Sequence, residues 1–386
     1  MKTFTATFYL STDRTKEDLV LVTNKAQKFK FSTEATGGFM DASFVVPFAS
    51  LSPEQAYRIF LAKDIMLHDF RGDVVYEGEV LSTKTVGEDV SVNCVGYYAK
   101  GASTTAGPSQ FSSTATARDI VEFMVDLTPD WQDDFSMLGE DDLVQIGPID
   151  FERADKVNGA LEEALKTGYL DTLNAIPRRR PLYMAIWENR VATLYPEPDI
   201  RDVDPDWEIS SKMFTGNRGF SLELSTKDIY NKIWITYNDN LLDGYTTLSA
   251  YEDTNSQLLY GVREGNVNLG AVTQTIAEVT GDLYVKYNAY PIQRATLKIT
   301  GNPKTHYGMV MPLWKIRAGD LIRIPDLDAS VAQLSDGQVG IGSVIGFVAK
   351  TSYTNDSYTM SIELGSPVKT LDIMLYRLGV NPGGIS

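Results

Sequence analysis

The side chains that could do chemistry in this sequence are few and scattered. There are two histidines, His68 and His306, and one cysteine, Cys94. Neither histidine has a second at metal-ligand spacing, and a lone thiol cannot complete a zinc set. A Ser-His-Asp triad has its residue types but no nucleophile-elbow sequence to present a serine. No Gly-rich phosphate loop or dinucleotide fingerprint is present. The densest carboxylate group is Asp126, Asp130, Asp133, Asp134, Glu140, Asp141 and Asp142. Paired carboxylates cleave glycosides when burial keeps one of them protonated. Clustered oxygens also hold Ca²⁺, but the spacing here is not that of an EF-hand loop. A solvated loop is the plain reading of such a run. The one dense basic run, Arg178-Arg179-Arg180, suits desolvated pairs with acidic residues of a neighbouring subunit, contact with DNA, or an exposed loop. Arg71-Gly72-Asp73 reads as a hairpin turn. Cys94, inside Ser91-Val92-Asn93-Cys94-Val95-Gly96, reads as a packed thiol. No catalytic residue, cofactor site or metal site is assigned, and the sequence reads as a non-enzyme.

The elements that must position these residues are mostly strands. With 386 residues, 43% of them hydrophobic and 22% charged, the chain has room for two or three domains. No apolar run is long enough to cross a bilayer. Met1 to Phe8 lacks the apolar core of a signal peptide, which predicts synthesis and folding in a cytoplasm, and the single cysteine fits that compartment. The net charge of −16 argues against wrapping nucleic acid, whose affinity comes from Lys and Arg. It suits a soluble acidic protein, or a surface that nucleic acid must pass without sticking.

Residues 1–105 read as a first β domain. Short strands are expected at 18–22, 28–31 and 39–47, where Ala42, Phe44 and Val46 alternate with Asp41, Ser43 and Val45. Ser52-Pro53-Glu54-Gln55 starts a helix, with Tyr57, Phe60 and Leu61 at helical spacing. Hairpins follow across Arg71-Gly72-Asp73 and Gly87-Glu88-Asp89, with separate strands at 74–80 and 81–86. The pattern suggests a sandwich or small barrel. Residues 106–205 change texture. Helices are predicted at 116–125, with Ile120, Val121, Met124 and Val125 on one face, and at 155–165, closed by Gly168. A hairpin follows across Glu188-Asn189-Arg190, and the whole segment reads as an inserted α+β domain. Residues 206–386 read as a second β domain, entered through a joining strand at 220–240. Within it Ile233, Ile235 and Tyr237 share one face, Lys232, Trp234 and Thr236 the other. Further strands are expected at 245–251, 258–264, 294–300, on both sides of Ala318-Gly319-Asp320, and at 341–353 and 357–364. A helix is expected at 270–287 on the stripe Ala271, Thr275, Val279 and Leu283. The strands–helix–strands order of the first hundred residues recurs loosely in 218–365, without a residue-level repeat. Trp234, in polar company, is a candidate subunit contact, and core packing under the insert is the alternative.

Several runs resemble bacteriophage tail hub proteins. They are Gly38 to Pro47 with Asp69 to Val80, then Trp187-Glu188-Asn189-Arg190, Lys232 to Tyr237, Tyr260 to Glu264, and Ile316 to Ile324. The resemblance spans nearly the whole chain and lies in the order of the motifs. It implies a fold that is mainly β, with an inserted α+β domain and two tail-tube-like antiparallel β-barrels or sandwiches. It implies a homotrimer at the tip of a tail tube, so that six barrels match a hexameric tube, with a lumen that passes DNA or a tape-measure protein. The partners implied are the tail tube or a distal tail protein, the tape-measure protein, and tail-tip or fibre proteins. The location implied is the tail tip or baseplate of a virion, with assembly in the host cytoplasm. Many such proteins carry a C-terminal fibre, peptidase or lysozyme extension. This chain stops soon after Tyr376-Arg377-Leu378-Gly379, which predicts a hub without one. A wall-degrading glycoside hydrolase using the acidic insert, and a receptor-binding tip protein using its aromatics, are the alternatives.

Overall fold

A computed structural model describes residues 4–12, 14–112, 115–128, 131–138, 149–152, 155–161, 182–196, 204–215, 219–225, 229–238, 244–271, 274, 277–278, 281, 284–285, 288–289, 292–326 and 344–365. The chain is mainly β, as expected, and its strands form large mixed sheets.

The first unit holds β1 (Thr5–Tyr9), β2 (Leu19–Thr23), β3 (Gln27–Glu34), β4 (Gly37–Pro47), α1 (Pro53–Leu61), β5 (Asp64–His68), β6 (Val74–Val86) and β7 (Asp89–Val95). Its order is β2-β1-β5-β6-β7-β4-β3, every pair antiparallel. Ala42, Phe44 and Val46 are buried, as the alternation requires, and so are Val90, Val92 and Cys94 of β7. α1 opens on a reciprocal cap: Gln55 N donates to Ser52 Oγ at 3.1 Å and Ser52 N to Gln55 Oε1 at 2.9 Å. The two strands expected at 74–80 and 81–86 are one, because a bulge between Val80 and Ser82 absorbs the break in pattern.

The insert supplies β8 (Ser109–Phe111), α2 (Ala117–Leu127), β9 (Gln132–Asp134), β10 (Ile149–Phe151), β11 (Leu182–Ile186) and β12 (Val191–Pro196). The predicted face of α2 is buried at Ile120, Val121, Met124 and Val125, in a second core with Trp131, Phe151, Leu161 and Met184. The next helix is described only as far as Leu161, so Gly168 lies outside the described residues. β11 runs parallel to the start of β4, with Ile186 opposite Gly38. Gly38 has φ +76°, and a Cβ there would lie 2.3 Å from Ile186 O, so only glycine lets the insert seat so closely.

The second unit holds β13 (Trp207–Glu208) and β14 (Phe220–Ser225). A lobe follows, of β15 (Lys232–Asn238), β16 (Tyr245–Thr247), β17 (Tyr251–Glu252), α3 (Thr254–Tyr260) and β18 (Glu264–Ala271). The unit resumes with β19 (Ile292–Thr300), β20 (Lys304–Thr305), β21 (Leu321–Ile324), β22 (Val344–Thr354) and β23 (Thr359–Leu364). The joining strand expected at 220–240 is therefore two strands in two sheets. β14 pairs with β19, whereas β15 pairs with β16, β17 and β18 over a separate core of Ile233, Ile235, Tyr237 and Val267. The strand expected at 258–264 does not form as such: Leu258 to Tyr260 end α3, which Asp253 caps by accepting from Ser256 N at 2.8 Å, and β18 begins only at Glu264. The helix expected from 270 begins later, since β18 runs through Ala271, and buries Ala277, Tyr284 and Val285. Thr275, Val279 and Leu283 lie outside the described residues. Before Ala318-Gly319-Asp320 the chain makes a 3-10 turn (Leu313–Lys315) rather than a strand.

One pattern occurs twice. The order β5-β6-β7-β4-β3 reappears as β21-β22-β23-β19-β14, antiparallel throughout and in the same chain order. The bulge recurs as well, between Val80 and Ser82 in β6 and between Val348 and Lys350 in β22. Neither unit closes into a barrel among the described residues, where the two sheets join edge to edge. The join is β3 against β22, and not the joining strand expected at 220–240.

Candidate assembly site

The joint between the units is built from both ends of the chain. Lys30 to Glu34 pair with Thr354 to Lys350. Thr33 and Thr351, both buried, share a hydrogen bond of 2.7 Å, and Ala318 N donates to Thr33 Oγ1 at 3.0 Å. Lys350 pairs with Glu34 at the rim. Beneath, Phe4 meets Phe29 and Trp314 edge to face at 5.1 and 5.0 Å, and Trp314 meets Tyr353 at 5.8 Å. The two units therefore share one core.

The hairpin tip between β11 and β12 ties the insert to both units. Arg317 donates to Glu188 Oε2 at 2.9 Å, and its guanidinium packs against the rings of both Phe39 and Trp187, at 5.4 and 5.3 Å. Asn189 N donates to Glu77 Oε2 at 2.9 Å. Arg190 donates to Thr12 O and approaches Asp64 Oδ2 at 3.4 Å. Asn189 and Arg190 have φ of 58° and 62°, a left-handed pair that ordinary residues adopt only under constraint. Three successive side chains and backbone groups thus hold three segments at once.

Behind this tip lies a buried charge network. Arg14 Nε meets Asp64 Oδ2 at 2.5 Å and Arg14 Nη1 meets Glu77 Oε1 at 2.8 Å, with both carboxylates fully buried. Tyr97 OH donates to Asp64. Burial raises the Glu77 carboxyl above its ordinary value, against the pull of Arg14 and the Asn189 N–H. Two guanidiniums face two carboxylates, so the network is balanced and its chemistry is positional. Sequence reading missed it. Its one signal is a charge in buried strand phase, as at Glu77 between Tyr76 and Gly78.

The residues singled out from the sequence do not converge. His68 Nδ1 lies 3.3 Å from Gly72 O, and the His306 ring lies tilted against Tyr307. The Cys94 thiol is buried, and burial pushes it far up. Arg71-Gly72-Asp73 is a turn, with Asp73 paired to Lys315 at 3.0 Å and Asp69 accepting from Trp314 Nε1 at 3.2 Å. Asp126 and Asp133 are exposed, and the Ser136 hydrogen bonds hold the Asp134 carboxyl below its ordinary range. Asp130, Glu140, Asp141, Asp142, Arg178, Arg179 and Arg180 lie outside the described residues. Among the described residues no three metal-capable side chains cluster. Trp234 is 37% exposed on the face of the lobe that carries Lys232, whose Nζ lies over its ring at 5.6 Å.

No protein-family model matches the chain, and no curated protein matches it. Solved structures do. The prophage MuSo2 43 kDa tail protein from Shewanella oneidensis superposes with a TM-score of 0.60 at 12% identity, over 96% of this chain and 99% of that one. The fold is that of phage tail proteins. The tail protein from Neisseria meningitidis MC58 gives 0.57 at 12% identity, over 96% and 98% of the two chains. Prophage tail protein gp18 from Listeria monocytogenes EGD-e gives 0.53 at 12% identity, over 98% of each. The resemblance read from the sequence is thus matched by the fold of tail proteins.

Proposed function

We propose that this chain is a structural tail hub protein of a virion, without enzymatic activity. The observation that carries the reading is the five-strand order repeated within a chain of tail-protein fold. Three copies, each with two tube-like units, present six to a hexameric tail tube on one side and the tail tip or baseplate on the other. The domains are 1–105, 106–205 and 206–386, with the lobe of β15 to β18 carried inside the last. The hub contacts the tail tube or a distal tail protein, the tape-measure protein, and tail-tip or fibre proteins, and it assembles in the host cytoplasm. DNA passes its bore without specific binding. Three copies at −16 each carry 3 × (−16) = −48, and an acidic wall within a Debye length of about 8 Å keeps a polyanion mobile. Trp234, Arg178, Arg179 and Arg180 are proposed subunit contacts. Light scattering of the purified protein followed by imaging of its rings tests the reading. A trimer with a central bore is expected, and a particle that stays single at every concentration rejects it.

A further inference from the structure

We infer that copies of this chain join by laying β14 of one copy, antiparallel, along the open edge of β6 (residues 81–86) of the next, repeating between chains the joint that β3 and β22 make within one. The inference rests on the ring reading above and names the strands that make the ring.

The argument is one of equivalent edges. Along one side of β22 runs β23. Its other side carries β21 at 344–347 and then β3 at 350–354. β6 is built alike: β7 runs along one side, and the other carries β5 at 74–79. At 81–86 that second side has no strand partner among the described residues. Its residues are correspondingly open, with Leu81 70% and Val86 51% exposed. β3 lies between β4 and β22, whereas its counterpart β14 has β19 on one side and no strand on the other among the described residues. The chain thus contains one completed joint and the two halves of another. Unpaired edges of this kind template pairing with a further chain. Two different half-joints make a head-to-tail contact rather than a two-fold pair, and such contacts form the proposed ring when the rotation between copies closes.

The register follows from the bulges. Val80 and Val348 stand opposite Cys94 and Leu364, which in turn stand opposite Ala42 and Ala295. Those alanines stand opposite Phe31 and Leu222. Inside the chain Ser352, Tyr353 and Thr354 meet Ser32, Phe31 and Lys30. Carried over, Lys84 is set against Glu223, Thr85 against Leu222 and Val86 against Ser221. A lysine position on the open edge therefore falls opposite a glutamate position in the register. That opposite-charge pair supports the contact between chains that otherwise repel, and it disfavours wrong strands on the same edge.

The test uses the full chain. Lys84→Glu and Glu223→Lys should each weaken ring formation by about tenfold in light-scattering titrations, and the double reversal should restore it to within about threefold of wild type. Thr85→Cys with Leu222→Cys should cross-link under mild oxidation into covalently closed rings, because directly opposed positions are within disulfide reach. Buried Cys94 does not compete. Wild-type rings that neither respond to the charge changes nor cross-link overturn the strand joint alone. Folded singles that lose rings without recovery in the double variant also overturn it. A wild-type chain that never assembles overturns the ring reading together with the joint.

Discussion

Replacing Arg14 by Met should cost about 3–5 kcal/mol at pH 7, the range for removing one partner of a buried ion pair. Arg14 touches Asp64 at 2.5 Å and Glu77 at 2.8 Å, and both carboxylates have no exposed surface. Methionine keeps much of the stem but leaves the two buried carboxylates with Arg190, which approaches Asp64 at 3.4 Å. Among the described residues Glu77 would keep the Asn189 N–H and no ion pair. The cost must depend on pH. The folded-state pKa of Glu77 is already raised by burial, and losing Arg14 raises it further. A carboxyl raised in the folded state binds more protons there than in the unfolded chain, so the variant loses stability as pH climbs from the unfolded value, 4.5, through the folded one. The deficit should be largest near pH 8 and shrink toward pH 5. Thermal unfolding read by tryptophan fluorescence would show a midpoint lowered by about 5–10 °C at pH 8. Arg14→Met with Glu77→Gln should recover part of the loss, because a neutral amide needs no counter-charge. A deficit below about 1 kcal/mol, or one equal at pH 5 and pH 8, would refute the account of a desolvated, balanced network.

Asp320 accepts from Trp207 Nε1 and Arg317 N, both at 2.7 Å, yet burial pushes its carboxyl up to about 7 from 3.8. Its ionisation therefore lowers stability as pH rises from about 4 to about 7, by up to about 4 kcal/mol. Asp320→Asn, which keeps the acceptor, should remove that slope and be the more stable form at pH 8; a slope unchanged in urea titrations rejects this. Gly38→Ala puts a methyl 2.3 Å from Ile186 O at a positive φ, and should cost on the order of 3 kcal/mol and expose the 182–196 hairpin to hydrogen exchange. Protection equal to wild type would mean that the close approach is not needed. Trp234→Ala should lower ring yield while leaving the unfolding midpoint of the subunit within about 2 °C, since the ring lies on an open sheet face; a collapsed midpoint would make it a packing residue instead.

Local grammar was legible in the sequence. The Ser52–Gln55 cap, the buried Ile233, Ile235 and Tyr237 beside an exposed Trp234, and the turns at 71–73 and 188–190 all follow from residue type and spacing. Spacing alone did not say what covers a face. Tyr57, Phe60 and Leu61 fall at helical spacing, yet α1 buries only Ile59 and leaves those three exposed. The lobe was hidden because β14 and β15 both read as strand, and a pleat pattern does not name its partner. The network escaped for a different reason. Asp64, Glu77, Arg14 and Arg190 are distant in sequence, and each is ordinary until the insert covers it.

The repeat shows why pairing carries information that composition does not. Its equivalent positions are Val80 and Val348, Cys94 and Leu364, Ala42 and Ala295, Phe31 and Leu222. Only apolar character is common to all of these pairs, because an inward strand position needs bulk and hydrophobicity rather than a particular side chain. The bulge is more demanding, since a one-residue slip would turn every inward side chain outward. Two sheets that keep the same slip at the same place must therefore keep the same set of edges. One inner edge in this chain is satisfied by β3 on β22, with Thr33 and Thr351 locked beneath it. The equivalent edge at 81–86 keeps the shape of that joint without a strand upon it among the described residues, and the strand that matches it sits at the far end of the same continuous sheet. On the joint proposed above, a second copy of the chain supplies the strand that completes this pattern.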